Sequence, residues 1–70
     1  MNIKIIKSSL LRDLNGQYCN FYINQNNKLM VDKFDSSSNL MNTSLVYSEH
    51  VLDFSAFIDN KNKIHLKIKS

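Results

Sequence analysis

A chain of 70 residues with one cysteine, one glycine, no proline and a net charge of +3 has room for a single small domain. It excludes an internal disulfide, because Cys19 has no partner, and a structural zinc site, because the two histidines stand far apart with no second cysteine. No run approaches the ~20 apolar residues of a membrane helix, and no small-residue cleavage site follows the short apolar start, so the expected setting is soluble and cytoplasmic.

A domain of this size buries only about 60% of the surface its unfolded chain exposes. Ordering costs roughly 1.5 kcal/mol per residue, and without a disulfide or a metal the apolar burial barely offsets it. The expectation is therefore a homo-oligomer, or a chain joined to further β-repeats. Of the nine Lys/Arg, only Lys61, Lys63, Lys67 and Lys69 cluster. Lysines there fit a solvated strand face that discourages edge-to-edge pairing; a nucleic acid or another anionic surface is the competing reading.

In chain order, Ile3, Ile5 and Ile6 favour a strand over residues 2 to 7. Ser8 to Leu14 reads as one helical turn or a broad loop, with Leu10 and Leu14 at i,i+4 spacing. Asn15-Gly16 signals a turn. From Gln17 to Ile23, Cys19, Phe21 and Ile23 share one face of a strand and Tyr18, Asn20 and Tyr22 the other. Asn24 to Asn27 is a turn by composition. Lys28 to Phe34 sets Leu29 and Val31 against Met30, Asp32 and Phe34. Asp35 to Asn39 is a polar loop, Leu40 to Tyr47 a further strand candidate, and Ser48 to His50 a connection. Phe54, Ala56 and Ile58 then alternate with Ser55 and Phe57, and Ile64, Leu66 and Ile68 with His65, Lys67 and Lys69. The Asp59 to Lys63 run between them completes a hairpin. The fold class is thus all-β, built of antiparallel hairpins. With no proline and one glycine, open hairpins are favoured over a tightly curled barrel, whose corners use glycine kinks.

A shift of 35 residues lays Tyr22 to Val31 on Phe57 to Leu66, aromatic on aromatic, Ile23 on Ile58, Asn24 on Asp59 and Lys28 on Lys63. Such self-similarity predicts a repeated strand-turn-strand unit. Ala56 to Leu66 resembles the strand-turn-strand signature of β-propeller blades, and its Ile-Asp-x-x-x-x-Ile-His-Leu pattern is similar to that of clostridial propeller-like repeats. The likeness covers residues 54 to 68 well and 19 to 34 loosely; propeller turns carry glycine where this chain has Asn27 and Asn62. The resemblance implies about one and a half blades, part of a larger repeat protein or a chain closed by copies of itself, since blades do not stand alone. It also implies a possible protein or carbohydrate ligand.

Residues 1–70 are therefore expected to form one small β domain with a structural or binding role rather than an enzymatic one, and no cofactor. Ile3, Ile5, Ile64, Leu66 and Ile68 are the expected interface residues. Ser48, Glu49 and His50 are neighbours in sequence and so do not converge as a catalytic triad does. Asp59 is expected to open an Asx-turn rather than bind calcium, because Lys61 and Lys63 oppose a divalent cation. The alternative function is single-stranded nucleic-acid binding, with Tyr18, Phe21, Tyr22 and Phe34 stacking bases near Lys28 and Lys33.

Overall fold

The computed structural model describes residues 7–70, so Ile3 and Ile5 lie outside the described residues. Six strands form among the described residues: β1 (Lys7–Arg12), β2 (Tyr18–Ile23), β3 (Leu29–Phe34), β4 (Leu40–Tyr47), β5 (Asp53–Ile58) and β6 (Ile64–Lys69). The first four make an antiparallel sheet in the order β1-β2-β3-β4, and β5 pairs with β6 in a second sheet. The chain is all-β among the described residues, as the alternation predicted.

One local device closes four of the five connections. At 13–17, 24–28, 35–39 and 59–63, an Asp or Asn opens a turn and its Oδ1 accepts hydrogen bonds from the backbone N–H groups two and four residues on, at 2.8–3.1 Å. The opener's own backbone N–H donates to the carbonyl four residues later. The fourth residue then takes the left-handed conformation: Gly16 at φ 82°, Asn27 at 60°, Ser38 at 68° and Asn62 at 63°. This is the three-residue hairpin loop in which a residue of positive φ restores the strand pairing. Asp59 is the Asx-turn opener expected of it.

The fifth connection has no such opener. Ser48 to Leu52 carries the chain from one sheet to the other, and Val51 is its anchor: the side chain is fully buried and its N–H donates to the Asn27 carbonyl at 2.8 Å. The core lies between the sheets. Cys19, Phe21 and Ile23 from β2, Leu29 and Val31 from β3, Val51, and Phe54 from β5 are buried, with Leu11, Val46, Ala56, Leu66 and Ile68 packed around them. Burying a side chain such as Ile23 or Leu29 is worth about 1.5–3 kcal/mol.

One expectation fails. Ser8 to Leu14 is neither a helical turn nor a broad loop; most of it is strand β1, in register with β2 through Leu11↔Cys19 and Arg12↔Tyr18. Leu10 and Leu14 are both exposed, so their i,i+4 spacing buries nothing. Pairing to β2 satisfies the backbone, and Leu11 supplies the inward contact.

Candidate functional site

Two outward faces carry the side chains with chemical or binding potential. The first belongs to the four-stranded sheet. Antiparallel pairing lines up Leu10, Asn20, Asp32 and Thr43 across all four strands, with Ser8, Tyr22, Met30 and Leu45 in the adjoining row and Arg12, Tyr18, Phe34 and Leu40 in the next. Leu10, Leu40 and Leu45 are each more than half exposed. Leu10, Tyr18, Asn20, Phe34 and Ser38 line a shallow concavity of ≈ 500 Å³. Arg12 lies over the Tyr18 ring, 5.9 Å from its centroid. Asp32 sits in the middle, accepting hydrogen bonds from the Tyr22 hydroxyl at 3.2 Å and the Thr43 hydroxyl at 2.7 Å. Partial burial, and then the Asp32 charge, push the Tyr22 phenol up from its ordinary value.

This placement separates the residues of the nucleic-acid alternative. Tyr18, Tyr22 and Phe34 share the outward face, but Phe21 is in the core. Lys33 alternates with Asp32 and Phe34, pairs with Cys19, and belongs to the other side of the sheet. Lys28 reaches away to donate to the Ser48 carbonyl at 3.3 Å. The aromatic platform thus lacks the lysines it was expected to have beside it.

The second face is that of the β5–β6 hairpin. Cross-strand pairs Asp53↔Lys69, Ser55↔Lys67 and Phe57↔His65 point away from the core, opposite to Phe54, Ala56, Leu66 and Ile68. Phe57 and His65 stack with ring centroids 4.7 Å apart and planes 6° from parallel. His65 Nε2 lies 2.8 Å from Asp59 Oδ2, so the carboxylate that opens the turn also holds the imidazole. That contact, joined by the N–H groups of Lys63 and Lys61, keeps the Asp59 carboxyl below the usual range. Lys7 closes the edge, donating to Asp53 Oδ1 and to the Phe54 carbonyl. Lys7, Asp53, Ser55, Lys67 and Lys69 border a second open hollow of ≈ 390 Å³.

Of the expected interface residues within the described chain, Ile64 is 40% exposed, whereas Leu66 and Ile68 are half-buried and packed against the core. Ser48, Glu49 and His50 are exposed along the β4–β5 connection. Cys19 is a free thiol in the core, and burial pushes it up from its ordinary value with Lys33 only partly opposing. Among the described residues no helix is long and apolar enough to cross a membrane, and no three His, Cys, Asp or Glu side chains gather as metal ligands. The Phe57–His65 stack and the concavity around Tyr18 were not foreseen: the first needs the β5–β6 register, the second needs β1. No family model, curated protein or solved structure matches the chain.

Proposed function

We propose that the chain is a non-catalytic structural and binding module that associates with copies of itself or with further β-repeats in a propeller-like array. The observation that carries this is the outward face of the four-stranded sheet. β5–β6 packs against its other face, yet it presents Leu10, Leu40 and Leu45 more than half exposed, in rows with Tyr18, Tyr22, Met30 and Phe34. Apolar side chains gathered on one face mark an interaction surface more often than a solvated one.

The recurrence of the strand and its turn supports the same reading. β2, β3, β5 and β6 are each six residues long, and the β5–β6 hairpin stands 35 residues after β2–β3 with the same loop. A four-stranded antiparallel sheet followed by a two-stranded one has the make-up of one blade and half of the next. In a propeller each sheet is covered on both faces, which gives the exposed rows a partner. Light scattering at micromolar concentration tests this: a multimer is expected, and a monomer whose mass does not rise with concentration would overturn it.

A further inference from the structure

The chain's positive charge is not spread evenly. Lys7, Lys61, Lys63, Lys67 and Lys69 stand on or against the β5–β6 hairpin beside two carboxylates, Asp53 and Asp59; the other four cations of the sequence are matched by its other four carboxylates. The whole net charge of +3 therefore belongs to this one unit. On the outward face Lys67 and Lys69 follow His65 at every second residue, so their Cα atoms lie about 6.7 Å apart along the strand. Beside them Phe57 is 58% exposed, its ring held flat against His65. The stacked pair stabilises the hairpin as a cross-strand contact, and it also leaves an exposed flat apolar surface beside the lysines.

We propose that the outward face of the β5–β6 hairpin, with Lys7 holding the Asp53 carboxylate at its edge, binds single-stranded nucleic acid. Lys67 and Lys69 border the second hollow and neutralise backbone phosphates, while Ser55 offers a hydroxyl beside them. The Phe57–His65 stack presents a flat surface for a base, which is sequence-tolerant because every base has such a face. Asp53 is no obstacle, since the ammonium of Lys7 already pairs with it. The unstacked bases of a single strand suit this face, whereas in a duplex they are turned away from an open sheet. This site is independent of the apolar face on the four-stranded sheet, so either proposal survives the failure of the other.

Fluorescence anisotropy with a labelled oligothymidylate is the test. Binding is expected at about 20 mM salt, weakening as salt rises by about 0.7 in slope for each phosphate neutralised. The double variant Lys67→Gln/Lys69→Gln should make the slope shallower by about 1.4. Phe57→Leu should weaken binding about fivefold or more at every salt concentration and leave the slope alone. Lys33→Gln, on the other sheet, should change neither. Three results would overturn the proposal: no binding at low salt, polyphosphate held as tightly as the oligonucleotide with Phe57→Leu silent, or tighter binding to phosphatidylserine vesicles than to the oligonucleotide.

Discussion

At Ser38 the backbone holds a φ of 68°, a conformation that an L-residue other than Asn or Asp pays about 1 kcal/mol or more to adopt. Glycine adopts it freely but gives up more freedom on folding. Ser38→Gly is accordingly expected to stabilise the chain by about 0.5 kcal/mol, read as a higher urea midpoint. Asn62→Gly at φ 63° should gain nothing. Asparagine tolerates that conformation, and Asn62 Oδ1 accepts the Leu14 N–H at 2.8 Å, joining two turns far apart in sequence. Equal gains at both positions would show that backbone strain is not the cause.

Three carboxylates, two of them turn openers, set the response to acid. Asp35 is held below the usual carboxylate range chiefly by the Asn39 N–H, Asp53 by the Lys7 ammonium and Asp59 by the His65 imidazole. Each folded carboxyl gives up its proton more readily than its unfolded counterpart, so the unfolded chain binds more protons below about pH 4. Their contribution is present above the unfolded value and is lost as pH falls through the folded ones. The urea midpoint should decline below about pH 4, and a midpoint that holds level or rises toward pH 2 would contradict this. Asn24 opens the second turn with the same two backbone bonds and no charge. Asp35→Asn should therefore keep the turn at neutral pH and make the acid decline shallower.

Among the elements, β2, β3, β5 and β6 carry inward apolar residues at alternate positions and were legible; β4 reads as a strand on a weaker pattern, and β1 does not read as one. Cys19, Phe21, Ile23, Leu29 and Val31 alternate so regularly that β2, β3 and their buried face follow from sequence alone. In Lys7–Arg12 only Leu11 among the apolar residues packs against the core, and its neighbour Leu10 blurs the period. That strand is imposed by its partner rather than by its own pattern. The openers Asp13, Asn24 and Asp35 recur every 11 residues, a signal present in the sequence that locates the first three loops and hence β1. The β4–β5 connection departs from the series, and its role rests on Val51. Val51→Ala removes two methyl groups from a fully buried site and should cost about 2 kcal/mol, lowering Tm by roughly 10 °C. Leu52→Ala, next to it but 56% exposed, should cost far less. Similar losses at both positions would remove Val51 as the anchor between the sheets.

For the molecule as a whole, a slab 15 Å thick and about twice as wide offers more face than core. Seven apolar side chains are buried among the described residues, while Leu10, Leu40 and Leu45 remain in the open on the far side of the same sheet. Covering Leu10 and Leu45 would remove the exposed half of each from water, worth about 1 kcal/mol apiece. The double variant Leu10→Ser/Leu45→Ser should therefore weaken self-association by about 2 kcal/mol, roughly thirtyfold in dissociation constant. Its thermal midpoint, measured at a concentration where the chain is monomeric, should barely move, because neither residue belongs to the core. Sedimentation across a range of concentrations reads the first quantity and calorimetry on the dilute protein the second. Weakened association with an intact midpoint assigns the apolar face to assembly. A lowered midpoint with unchanged association would assign those leucines to the fold of the single chain instead. The oligonucleotide measurement on the same variant adds a third reading: the basic hairpin lies on the other sheet, so affinity per chain should persist in the monomer. Any affinity lost with the multimer and restored by tethering two chains would be avidity, the gain from presenting several weak sites on one assembly.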